Sequence, residues 1–167
     1  MGLLPIRMYP DPVLRRQAEP VETFDEPLER LVADMVETMH AAPGIGLAAP
    51  QVGISQRLVV IDLSVGKRAD DLVVLVNPRI EERLGEVVGE EGCLSIPELT
   101  AKVSRPERVR VRALDARGQE LELSAEGLLA RAICHELDHL DGVLFVDHLR
   151  GLRRERARRF LKRMTAS

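Results

Sequence analysis

His135-Glu136-Leu137-Asp138-His139 places two imidazoles four residues apart, with a carboxylate beside the first. On an α-helix each residue advances about 100°. His139 then lies roughly 40° round from His135, and Glu136 roughly 60° beyond His139. All three side chains leave one narrow face. Two neutral imidazoles so placed can hold a metal ion, and the carboxylate can take a proton from water activated there. The spacing predicts a helix over about 125–140, capped by Ser124 and ending at Gly142. Leu128, Leu129, Ala132 and Ile133 give it apolar faces. An ordinary amphipathic helix with hydrogen-bonded histidines has the same local pattern, so the rest of the chain must decide.

A catalytic site of this kind takes three protein ligands and keeps one position open. Downstream the prospects are poor. His148 is three residues late for the metzincin spacing, whose position holds Phe145, and Glu155 sits among arginines. Upstream, Cys93 stands in Glu91-Gly92-Cys93-Leu94-Ser95-Ile96-Pro97-Glu98. Gly92 permits a tight turn before the thiol, and Pro97 keeps the next residues extended. Cys93 with two imidazoles makes a ligand set with room for water; a buried, packed thiol is the other reading. Cys134 points about 100° away from His135 on the helix and is read as packing. A third stretch, Gly44-Ile45-Gly46-Leu47-Ala48-Ala49-Pro50-Gln51, has small residues that allow close backbone approach, and Gln51 offers an amide donor. It fits either a site or a glycine-rich turn.

The chain of 167 residues suits one domain, and 45% hydrophobic with 31% charged residues describes a globular protein. With three Phe, one Tyr and no Trp, the core must be aliphatic. No segment approaches the roughly 18 apolar residues of a membrane span. No secretory signal or transit peptide is visible, and the expected location is the bacterial cytoplasm. Two cysteines argue against a disulfide framework. Net charge is −3, yet residues 150–163 carry eight Lys/Arg against one acid, Glu155. This predicts a basic C-terminal helix, about 150–164, on an acidic body, with Leu152, Phe160, Leu161 and Met164 giving apolar contact.

The remaining elements follow from pattern. Prolines 5, 10, 12 and 20 predict an extended arm over residues 1–24, wrapping the surface. Asp25 caps a helix that runs to about Ala41, with Pro27 in its first turn. Strands are expected at 57–62, 72–76, 80–88, 107–114 and 119–123, the last two as a hairpin turning at Asp115–Gly118. The fold class is α+β: mostly antiparallel strands around a central metal-binding helix, with a C-terminal helix.

Taken together, the stretches GIGLAAPQ, EGCLS and HELDH, in that order, resemble the peptide deformylase family. The resemblance spans essentially the whole chain and includes PDPVLRRQAEPV near the start and the pair Asn77-Pro78. Pro50 and Thr100 differ from other members beside the glutamine and near the substrate path. The resemblance implies removal of the formyl group from N-terminal formyl-methionine of newly synthesised proteins. It implies Cys93, His135 and His139 as ligands of one divalent metal, with Glu136 moving the proton. Gln51 and the Leu94 N–H would stabilise the oxyanion. Gly46 would contact substrate backbone, and Ile45, Gly89, Glu91 and Leu128 would line the methionine pocket. The donor set suits zinc, nickel, cobalt or ferrous iron; the resemblance favours Fe2+ over Zn2+, Ni2+ or Co2+. The basic tail, a solvated helix by one reading, would dock on ribosomal RNA by the other. A zinc endopeptidase and a non-catalytic, metal-stabilised RNA-binding module are the rival functions.

Overall fold

The computed structural model describes residues 2–166. After an N-terminal arm come helix α1 (Glu26–Ala41) and strands β1 (Gly46–Ala48), β2 (Leu58–Asp62) and β3 (Leu72–Leu84). Next are β4 (Val87–Cys93), β5 (Ile96–Arg105), β6 (Arg108–Leu114) and β7 (Glu120–Glu126). Helices α2 (Gly127–Leu140) and α3 (Gly151–Ala166) follow. The strands form a five-stranded sheet, ordered β1-β2-β3-β6-β7, and a two-stranded sheet of β4 and β5, with every strand pairing antiparallel. The α+β class with a central helix is as expected.

Burial explains the placement of α2. Its Ala130 through Leu137, with His139 and Leu140, are all buried. Ala130, Ile133, Leu137 and Leu140 share one apolar cluster with Val59, Ile61, Leu75 and Val111 of the large sheet. Cys134 belongs to that cluster, in keeping with packing. The helix is thus a core element rather than a half-wet one. At its far end Gly142 takes φ +73°, the left-handed turn that releases a helix.

The cap differs from expectation. Ser124 pairs with Arg110 inside β7, and the N-cap is Glu126, whose side chain makes no capping bond. Sheet pairing has claimed the residues that a local reading gave to the helix. Gly127 turns the chain with φ +62°, and its N–H donates to the Glu107 carbonyl at 2.9 Å. The expected strands at 72–76 and 80–88 are likewise redrawn. The first continues through Asn77-Pro78 as one strand, with register shifts on either side of Ile80. Proline cannot donate to a ladder, so the first shift, between Val76 and Arg79, falls at Pro78. Asn77, at φ +50°, turns its side chain to the arm, accepting from Val21 N at 2.8 Å and donating to Val21 O at 2.9 Å. The second breaks at Gly85 (φ +73°), where the small hairpin begins.

The arm is more than surface wrapping. Leu14 and Val13 pack with Phe145 and Ile96, and Ala18 joins the core under α2. The Arg7 N–H donates to the Gln51 carbonyl at 2.6 Å, and Tyr9 N–H to Ser95 O at 2.9 Å. Asp25 does cap α1, its Oδ1 accepting from Leu28 N at 3.3 Å. On α3, Ala157 and Leu161 are buried beside Phe160 and Met164, as the pattern suggested, but Leu152 is 78% exposed and makes no such contact. Among the described residues no helix is long and apolar enough to cross a membrane.

Gly142 gives a test of this frame. A Cβ there would lie 2.5 Å from the Arg15 carbonyl oxygen, on a backbone that side chains avoid. Gly142→Ala should cost about 1–3 kcal/mol, seen as a lower urea midpoint at unchanged slope.

Candidate active site

Two elements converge beside a cavity of about 700 Å³. Cys93 ends β4 at the tight turn of the small hairpin. His135 and His139 come from α2. One donor atom from each lies within 4.8 Å of the others, and Cys93 Sγ is 3.4 Å from His139 Nε2. Among the described residues this is the one His/Cys/Asp/Glu group able to enclose a metal ion. His148 points elsewhere: its Nε2 lies 2.8 Å from Asp138 Oδ2.

The electrostatics suit a cation. His139 is 1% exposed, and burial together with the neighbouring His135 holds its pKa well below the usual value, keeping a neutral ring. Its Nδ1 has no protein partner. Burial also opposes a charge on His135, but hydrogen bonds with Cys93 and Glu91 and the nearby Glu136 overcome it and push the pKa up to about 10. The two imidazoles thus differ: acidic neighbours favour a charge on His135, while burial and His135 disfavour one on His139. A sulfur and two nitrogens in such a place fit one metal ion.

Glu136 lies beside this point. Its Oε2 is 4.0 Å from His135 Nε2, and its Oε1 is buried without a partner. Burial raises its pKa to about 7, with the His135 charge pulling the other way. Such a group can both accept and release a proton near neutrality. Gly46 of β1 makes room for it: a Cβ there would stand 2.5 Å from Glu136 Oε2. The glycine expected to touch substrate thus also fits against the carboxylate.

Gln51 is fixed by the turn after β1. Its Oε1 accepts from Ala48 N at 2.9 Å, which aims the amide at the donor set. The Nε2 donates to Ser95 Oγ at 3.2 Å and to Cys93 Sγ at 3.5 Å. Leu94 follows Cys93 at the hairpin turn and lines the cavity with Ile45, Gly46, Leu128 and Ala132. Gly89 is not among the lining residues; its carbonyl accepts from Arg131 at 3.3 Å.

Glu91 also reaches the cavity, but its carboxylate is engaged elsewhere. One oxygen accepts from Arg105 Nε at 2.8 Å and Arg131 Nη1 at 2.7 Å. The other meets Arg105 Nη2 at 3.0 Å and His135 Nδ1 at 2.9 Å. Burial alone would raise its pKa, yet the bonds from Arg105 and His135 hold it at about 2. A carboxylate on the far nitrogen of an imidazole fixes the tautomer and leaves Nε2 for a metal. Local reading found neither arginine. Arg131 did carry a signal, four residues before His135 on the same helix face; Arg105 carried none, because its contacts are all distant in sequence.

A carboxylate beside converging imidazoles and sulfur, bordering a cavity, defines a metal-dependent hydrolase. Residues 3–155 match the model of the polypeptide deformylase family. A peptide deformylase of Acidobacterium capsulatum is 52% identical over 98% of this chain and 96% of its own. That of Thermodesulfovibrio yellowstonii is 49% identical over 97% and 98%. The crystal structure of a peptide deformylase from Legionella pneumophila superposes with TM-score 0.91 at 49% identity, covering 98% of this chain and 96% of that one. The chain belongs to the polypeptide deformylase family, the enzymes that remove the N-formyl group from nascent peptides.

The Glu91 ion cluster predicts an acid response. Folding lowers this pKa, so the ionised carboxylate favours the folded state. Its contribution is complete above the unfolded value of about 4.3 and is lost as pH falls to about 2. Glu91→Gln should be less stable at pH 7 and should show a shallower loss between those limits, read from urea unfolding of the metal-free protein.

Proposed function

We propose that Cys93, His135 and His139 bind one divalent ion in this deformylase, and that Glu136, Gln51 and the Leu94 N–H carry out the proton transfer and charge stabilisation. The observation that carries this reading is the unpartnered, buried Glu136 Oε1 beside three converging donor atoms. A divalent ion held there would supply Lewis acidity, making a bound water a stronger acid. Glu136 takes the proton from the attacking water and later gives one to the leaving amine. As the formyl carbon becomes tetrahedral, its oxygen gains negative charge. The Gln51 amide and Leu94 N–H donate to that oxygen, already oriented before reaction. The C–N bond then breaks, releasing formate and the free N-terminus.

Ile45, Gly46 and Leu128 are assigned to the methionine side of the cavity, with Gly89 and Glu91 supporting it. Ferrous iron is the proposed physiological ion; a thiolate–iron site would be oxygen-sensitive, so Zn2+, Ni2+ or Co2+ can replace it in preparations. The chain is proposed to act as one catalytic domain in the bacterial cytoplasm.

Anaerobic protein loaded with ferrous iron should release formate from formyl-Met-Ala-Ser. Cys93→Ala should lose the metal. Glu136→Ala should keep it and lose turnover by about 10²- to 10⁴-fold. Wild-type-like turnover by metal-loaded Glu136→Ala would refute the proton role. Cleavage of unformylated peptides at internal bonds would favour an endopeptidase instead.

The basic face of α3 is proposed to dock on ribosomal RNA, beside emerging chains. Arg153, Arg156 and Arg163 are exposed, while Ala157 and Leu161 anchor the other face. Changing those three arginines to Glu should weaken ribosome binding and flatten its salt dependence; unchanged binding in a sedimentation assay removes the idea.

A further inference from the structure

We infer that Arg131 is a positioning residue that sets where the Cys93 sulfur stands relative to the helix histidines, and that Gly89 is the space that admits it. The inference rests on the reading of Cys93, His135 and His139 as ligands of one ion.

The ligand set is divided between two bodies. His135 and His139 ride on α2, inside the main core. Cys93 sits at the turn of the small hairpin, which among the described residues shares no ladder with the five-stranded sheet. Ladder hydrogen bonding therefore leaves the hairpin's distance from α2 to side chains. Yet metal–ligand distances tolerate only about 0.2 Å, so some contact must fix that distance.

Arg131 supplies it. It lies one turn ahead of His135 on the same face of α2, and it is 9% exposed. Its Nη2 donates to the Val87 carbonyl at 2.7 Å. Its Nη1 reaches the Val103 carbonyl at 2.9 Å, the Gly89 carbonyl at 3.3 Å and Glu91 Oε2 at 2.7 Å. Gly89 and Val103 are register partners across the hairpin. One guanidinium on the helix thus grips the main chain of both hairpin strands. It also grips the carboxylate whose other oxygen orients His135. Charge-assisted bonds in a buried setting are strong, and the planar fork restricts the approach. Arg105 makes the reciprocal tie, from the hairpin to Asp138 on α2 at 2.6 Å.

Gly89 completes the arrangement. A Cβ there would stand 3.0 Å from Arg131 Cζ and Nη2 and 3.1 Å from Nε. A side chain at this position would push the guanidinium out or lift the hairpin from the helix. The glycine that resembled a pocket residue is, on this geometry, the seat of an arginine.

The test uses the full chain loaded with Co2+, reading the sulfur-to-cobalt charge-transfer band and the rate of metal loss to EDTA. Arg131→Met, confirmed folded by circular dichroism, should lose cobalt roughly 10- to 100-fold faster and show a weakened sulfur band. Arg131→Lys, which keeps the charge but not the fork, should fall between. Gly89→Ala should reproduce the defect in the wild-type background and add little to Arg131→Met, because nothing remains to displace. Gly89→Ala alone carries the test if Arg131→Met does not fold. A wild-type band and exchange rate retained in both single variants would overturn the positioning role alone. A wild type without any sulfur-to-cobalt band would overturn the ligand reading beneath it.

Discussion

The Glu91 carboxylate joins the two bodies from which the site is assembled. It belongs to the hairpin that delivers Cys93, and it bonds His135 on the helix that delivers the other donors. Arg105 and Arg131 neutralise it from both sides. A buried carboxylate without such partners would take up a proton and lose its hold on the imidazole. With them it stays ionised, and three charges in a dry interior become a rigid joint. Removing one partner of such a cluster is costly because it strands the others. The hairpin therefore stays against the helix without a ladder to the main sheet.

The same interior treats neighbouring residues in opposite ways. Glu91 and Glu136 are both buried, yet one is held at about 2 and the other is raised to about 7. The difference is supply of donors: Glu91 has two arginines and an imidazole, while Glu136 keeps one oxygen with no partner at all. Two carboxylates in environments that push their proton affinities apart are suited to different tasks, one to holding charge and the other to the proposed proton transfer. The small residue at Gly46 and the turn that fixes Gln51 complete the cleft from the opposite wall.

The N-terminal arm and the C-terminal helix serve the site from outside. The arm's main chain bonds Gln51 and Ser95, which are themselves hydrogen-bonded beside Cys93. Helix α3 packs Leu161 and Ala157 on the cluster that contains Ile96, just beyond the Cys93 turn. The arm and α3 thus support the turns that carry Gln51 and Cys93, and the arginine-rich face of α3 is left to solvent.

Much of the site was legible because it is local. The spacing of His135, Glu136 and His139 needs only helical periodicity, and the α+β class, α1, β2 and the β6–β7 hairpin follow from alternation, caps and turn residues. Separated motifs then carried the family resemblance, from which Cys93, Gln51 and Leu94 took their expected places. The errors also have one cause. Ser124 was given to a helix because capping is a local rule, but its backbone was claimed by β7; Leu152 was given to a core that α3 turns away from it. The hairpin β4–β5 escaped because β4, with Gly89 and Gly92, has no alternation, so the Leu99, Ala101, Val103 alternation of β5 had no evident partner. What the sequence alone determined is the set of reactive groups and the helix that spaces two of them. What only the tertiary structure decided is how Cys93 reaches that helix and why Glu91, Arg105 and Arg131 are there, because those contacts join residues 14 to 44 positions apart, and no periodicity spans such distances.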